Sequence, residues 1–234
     1  MRPGITGVRD QLWLLAHDER YTPLRLMIDV RALNIGLVAA TLTDLLLADR
    51  IHIAAGRIYI TDESRELVPD PVGAAIQIAI GAAHAPLLTS VLRGARADWY
   101  GDEPNPYQEV YQRTRAVLIA AGHLREERRR LRSSCYHLRN QELISTIRGR
   151  LNHRLVYLDR PADATTDCLC ALILSLRLHG SLMTPYDAAE IEHILSGITN
   201  SIPLRAGKES PLLAVPDLAQ AVSDTIGDLA TAPF

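Results

Sequence analysis

The segment ALNIGLVAATLTDLLLA at 32–48 places apolar side chains on nearly every side of a helix, not along one stripe. A helix of that kind has no face to give to water and must be wrapped by other elements. A second segment, DATTDCLCALILSLRLHGSL at 163–182, has the same character. Two such helices confine the chain to an architecture with a covered centre. The first is short of the roughly 20 apolar residues a membrane span needs, and it contains Asp44, so a buried core helix over Val30–Asp49 is expected. The chain has 234 residues and is 47% hydrophobic, enough for one sizeable core, so 1–234 reads as a single domain.

The cover should come from the remaining segments. A short amphipathic helix is expected over 8–17, with Leu12, Leu14 and Leu15 as its apolar part. Ile51 and Ile53 alternate, Gly56 marks a turn, and Ile58 and Ile60 alternate again, which predicts a hairpin. Helices follow near Pro71, over 86–94, and over 106–121, the last stopped by Gly122. The stretch from Ala97 to Tyr107 reads as an acidic, turn-rich loop. Leu143, Ile144, Ile147, Leu151 and Leu155 make the stripe of a helix over 140–157, with Arg148, Arg150 and Arg154 beside it. A later helix is expected to open with Thr184 as N-cap, Pro185 at its first position and Asp187 in its first turn. Residues 199–214 read as loop, and a closing helix starts near Val215.

The chemistry of enzymes leaves little trace. AGKES at 206–210 has a Gly-Lys pair, but Ile202 stands where a P-loop needs glycine and Glu209 where it needs a hydroxyl. Cys168 and Cys170 lie two apart on a helix and point to different sides. Cys135 and His137 would share a face on a strand, but two ligands make no site. No metal and no cofactor is expected. Three cysteines without a framework point to a reducing compartment, and the first dozen residues lack the apolar run of a signal peptide. Asp44 is expected to pair with an arginine, Arg50 being near, or to cap a backbone group. No general acid–base or nucleophilic constellation emerges, so no enzyme is expected.

Charge is where the chain departs from the ordinary. Between Arg113 and Arg154 there are eleven arginines and three glutamates, a segment of +8 in a chain of net −2, so the remainder carries −10. A face with that bias attracts polyanions. Nucleic acid would call for aromatics to stack on bases, and only Tyr107, Tyr111 and Tyr136 are near, so no nucleic-acid partner is expected. An anionic membrane surface fits better, each basic residue near it contributing about 1 kcal/mol. The centre of this segment is ambiguous. LREERRRL has good helix formers and a Glu126–Arg130 pair at i, i+4, while Gly122 and RSS allow a hairpin. The pattern leaves both open.

Several pieces resemble the Golgi phosphoprotein 3 family, above all its bacterial, actinomycete-type branch. They are LWLLAHDE, LNIGLVAATLTDLLLADRIHI, DPVGAAI, AVLIAAGHLREERRRL and YHLRNQELISTIRGRL, in order over about residues 10–230. The most specific are the acid–Leu–x–Leu–x–x–Arg–Ile run from Asp44 to Ile51 and Gly-x-Leu-Arg-x-Glu from Gly122 to Glu127. The resemblance implies a mainly α fold, a single globular helical domain with small β-hairpins. It implies a hairpin over 124–138, one that joins subunits. Eukaryotic members are peripheral Golgi proteins that bind phosphatidylinositol 4-phosphate and act as adaptors for glycosyltransferases. Their lipid pocket uses a tryptophan after the first helix and an arginine in the second. The matching segment here, YTPLRLMIDV, has no tryptophan, and the arginine's place falls near Val38. Two further family arginines fall at Gln108 and Tyr111, with Arg113 and Arg115 close by.

The expectation is a non-catalytic peripheral membrane adaptor, cytoplasmic and membrane-associated. Arg113, Arg115, Arg125, Arg128, Arg129, Arg130 and Arg132, with Arg25, would form a face for anionic lipid headgroups, phosphoinositide-type by resemblance. Membrane-protein tails and a second copy of the chain are the expected protein partners. The alternative is an interaction scaffold in which the basic hairpin pairs with a sister subunit or an acidic tail.

Overall fold

The computed structural model describes residues 7–61, 66–96, 105–129, 132–158, 160, 163–182, 184–207 and 210–231. Helix α2 (Val30–Leu47) starts where the Asp29 carboxylate accepts the Arg31 N–H at 2.7 Å. It is buried from Leu33 to Thr43 without a break. Among the described residues it is the one helix long and apolar enough to cross a membrane, and 72% of it is buried inside the protein. The expected core helix is therefore observed. Helix α7 (Ala164–Ser175) is its partner, with Cys168 and Cys170 free and buried among leucines.

The other helices wrap this pair. Helix α1 (Val8–Leu15) packs on both. The expected amphipathic stripe is corrected here: Arg9 and Gln11 are buried as well, because α1 lies between core helices. Helices α3 (Pro71–Ala82), α4 (Leu88–Gly94) and α5 (Val110–Ala120) flank α2. Helices α6 (Gln141–Val156) and α8 (Ala188–Arg205) flank α7, and α9 (Val215–Thr231) touches both centres. Among the described residues there are also three two-stranded antiparallel sheets: β1 (His17–Asp18) with β2 (Arg25–Leu26), β3 (Ile51–Ala54) with β4 (Arg57–Ile60), and β5 (Leu124–Arg129) with β6 (Arg132–Leu138). The fold is mainly α with small hairpins, built around one core.

Asp44 caps a neighbouring backbone, one of the two roles expected of it. Its carboxylate accepts the Val8 N–H at 2.7 Å and the Arg9 N–H at 3.2 Å, at the start of α1. A Cβ on Gly7 would lie 2.7 Å from that carboxylate, so glycine is needed there. Thr184 is not the cap of α8. Asp187 is, in a reciprocal capping box with Glu190, which satisfies two backbone donors where Thr-Pro would satisfy one. The loop expected over 199–214 is also corrected. Helix α8 runs to Arg205 with Pro203 in its last turn, and Pro211–Ala214 form a 3₁₀ turn. Most of the expected loop at 97–107 lies outside the described residues.

Candidate anion-binding site

The region begins with spacing along α1. Trp13 and the residue one turn on, His17, stack with ring centroids 3.8 Å apart. Tyr111 of α5 joins them, 5.8 Å from Trp13 and 5.9 Å from His17. The buried His17 ring has its tautomer fixed by its neighbours. Nδ1 lies 2.7 Å from the Trp13 carbonyl, which can only accept, so Nδ1 carries the proton. Nε2 then accepts from the Tyr111 hydroxyl at 3.1 Å. Burial pushes His17 down to about 4; the Trp13 carbonyl opposes that shift and the nearby Arg115 adds to it. The ring is neutral at neutral pH.

One turn beyond Tyr111, Arg115 continues the column. Its guanidinium lies 5.7 Å from the Tyr111 ring and 4.2 Å from the ring of Tyr136 on β6. Such contacts hold a guanidinium in place without cancelling its charge. Tyr136 also receives the first hairpin of the chain: its carbonyl accepts the Leu24 N–H at 3.0 Å. Arg25 follows directly, exposed, with its guanidinium 5.4 Å from the Tyr21 ring. The turn between β1 and β2 is itself pinned. Arg20 pairs with Asp18 at 2.7 Å, and Arg148 of α6 forks onto Glu19, its Nη2 donating at 2.8 Å.

The position of β5 and β6 follows from the end of α5. Gly122 adopts φ +77°, and the Gly122 and His123 N–H groups bond back to Ile119 and Leu118. This Schellman turn throws the chain off the helix axis directly into β5. Leu124 pairs with Leu138 and Glu126 with Tyr136 in the ladder. Alternation puts these four on the face toward α5, where Leu124 is buried, and puts Arg125, Glu127, Cys135 and His137 on the other. The hairpin implied by the family resemblance is thus observed, against the helix propensity of its residues.

The expected arginines are distributed unevenly. Arg115 lies against the Tyr136 ring, Arg25 follows the residue bonded to the Tyr136 carbonyl and has its guanidinium over Tyr21, and neither has a carboxylate within ion-pair distance among the described residues. Arg113 lies two residues from Arg115, hence about 200° around the helix, and pairs with Glu109 at 3.9 Å. Arg125 is exposed, opposite His137 on the far face of β5. Arg128, Arg129 and Arg132 have their backbones in the strands, while their side chains lie outside the described residues, as does all of Arg130. Arg148 and Arg154, expected beside the α6 stripe, are buried in ion pairs.

Sequence reasoning missed Trp13, His17, Tyr21 and the structural part of Tyr136. A signal was present for two pairs: Trp13–His17 and Tyr111–Arg115 are both at i, i+4, where helix neighbours touch. Tyr136 has no such local signal, since its partners lie 21 and 112 positions away. The cluster offers the ring-held Arg115 guanidinium, while the His17 imidazole is engaged at both nitrogens. Among the described residues no group of three His, Cys, Asp or Glu gathers to hold a metal. A guanidinium held against a ring in this way can donate to an oxyanion.

A family model described as Golgi phosphoprotein 3 (GPP34) matches residues 8–224. No curated protein matches the chain.

Proposed function

The chain belongs to the Golgi phosphoprotein 3 family, and from that premise we propose that it is a non-catalytic peripheral membrane adaptor that binds anionic phospholipid headgroups through Arg115, with Arg25 on the adjoining hairpin. The observation that carries this is the Arg115 guanidinium held 4.2 Å from the Tyr136 ring, on the residue whose carbonyl bonds the Leu24 N–H next to exposed Arg25. Neither Arg115 nor Arg25 has a carboxylate partner among the described residues. Guanidinium forks match the oxygens of a phosphate group. The ordered aromatic column behind Arg115 means that little freedom is lost when a headgroup arrives. Arg125 and the arginines of the β5–β6 hairpin would add long-range attraction to an anionic leaflet. Family membership favours a phosphoinositide-type headgroup and a cytoplasmic face, although the family's tryptophan is replaced by the stretch around Arg25.

The test is liposome flotation at low salt. Recovery with acidic vesicles should exceed recovery with phosphatidylcholine. Arg115→Gln should weaken it about fivefold, the equivalent of about 1 kcal/mol, without altering the circular dichroism spectrum. Equal recovery on neutral and acidic vesicles would remove the proposal. Vesicles holding a phosphoinositide, compared with phosphatidylserine vesicles of the same charge, test the finer identity.

A scaffold role is favoured by one separate feature. The β5–β6 sheet has only two strands, and a two-stranded sheet leaves outer edges that can pair with another chain. Light scattering of the full chain, before and after Arg125→Glu, tests whether the hairpin joins copies.

A further inference from the structure

Helix α6 leads away from the hairpin, and roughly 20 Å along it a second basic site forms. A cavity of about 350 Å³ opens between the C-terminal half of α6 and the start of α7. Its wall is made by Arg150, His153, Arg154, Tyr157 and Arg160, with Gly149 among them. A Cβ on Gly149 would meet nothing within 4 Å. Glycine inside a helix costs about 0.5–1 kcal/mol against alanine, and here its missing side chain leaves the cavity open.

The charges facing the cavity do not cancel. Arg150 donates to the Gln11 amide oxygen at 3.1 Å, and its buried Nε has no acceptor among the described residues. Arg160 lies over the Tyr157 ring at 4.6 Å and has no carboxylate partner among the described residues. Arg154, 2% exposed, spends Nε on Asp167 at 2.8 Å and Nη1 on the Leu158 carbonyl at 2.6 Å. Asp167 is also shared with Arg205 at 2.9 Å. The other acid, Asp163, uses its oxygens on the Thr166 N–H and hydroxyl, at 2.9 and 2.6 Å. Among the described residues neither Arg150 nor Arg160 is in an ion pair, and with Arg154 they outnumber the one carboxylate lining the cavity, Asp163, whose bonds to Thr166 do not cancel its negative charge; the space is larger than a bare phosphate. Beside them stand the Tyr157 ring, which also packs against His153 with centroids 4.7 Å apart, and exposed Val156 and Leu158.

We propose that this cavity is a second anion site, binding a phosphomonoester with an attached carbon group through Arg150 and Arg160, the carbon group resting on Tyr157. The phosphate could be carried by a soluble molecule or by a lipid headgroup, and the inference is independent of the cluster around Tyr136. Thermal unfolding of the full chain in millimolar glycerol 3-phosphate at constant ionic strength tests the soluble form. Phosphate salts stabilise proteins generally by exclusion from the surface, so the readout is the difference between variants. The unaltered chain should gain about 3 °C over Gly149→Leu, which fills the cavity, and over Arg160→Gln, which removes a cation from an exposed position. Arg115→Gln should keep the full gain. Where the unaltered chain gains nothing, flotation on phosphatidic acid vesicles decides the lipid form: Arg150→Gln with Arg160→Gln should lower recovery several-fold. Equal shifts in all variants, or no shift together with unchanged flotation, would overturn the proposal.

Discussion

His17 shows how one residue's surroundings become a property of the whole protein. Its folded value, about 4, lies below the ordinary 6.5, so the unfolded chain binds a proton that the folded chain refuses. Stability from the neutral ring is therefore fully present above pH 6.5 and is lost as the pH falls toward 4. The difference corresponds to about 3 kcal/mol. Urea unfolding should show that loss in the unaltered chain and a flatter profile over the same range in His17→Gln. A parallel decline in both would contradict the assignment. At this scale the arginines were legible as a charge run. Which of them act was not, because Arg113 and Arg115 look alike in sequence and differ only in the side of α5 they occupy.

Among elements, the packing of α6, α7 and α8 depends on Asp167. From α7 it reaches Arg154 on α6 and Arg205 on α8, and Arg154 is buried. Removing the acid strands a buried cation. Asp167→Ala should cost about 3–5 kcal/mol in chemical denaturation, whereas Arg205→Ala, removing the more exposed partner, should cost much less. A small loss for Asp167→Ala would show that Arg154 does not depend on it. The helices around the core were readable from apolar pattern because burial on all sides leaves few alternatives. Their ends were less so. Local chemistry at Thr184-Pro185 resembles a cap, but the reciprocal pair Asp187 and Glu190 three residues on binds two amides and wins. The same competition decided the basic segment. Its side chains favour helix, yet the left-handed turn at Gly122 and the packing of Leu124 against α5 make a hairpin.

Over the whole molecule, a +8 segment in a chain of −2 predicts an interaction governed by ionic strength. Raising salt from about 0.1 M to about 1 M shortens the screening length from roughly 10 Å to roughly 3 Å. Recovery on acidic vesicles should then drop at least about tenfold, while recovery unaffected by salt would point to apolar insertion instead. The sequence by itself determined a helical protein with a covered centre and a basic segment, because periodicity and charge are properties of neighbours along the chain. The tertiary structure decided that Trp13, His17, Tyr111, Arg115 and Tyr136 form one column, with the first hairpin bonded to it through Leu24. Such a site joins residues more than a hundred positions apart, and only the packing of α1, α5 and the hairpin brings them within reach.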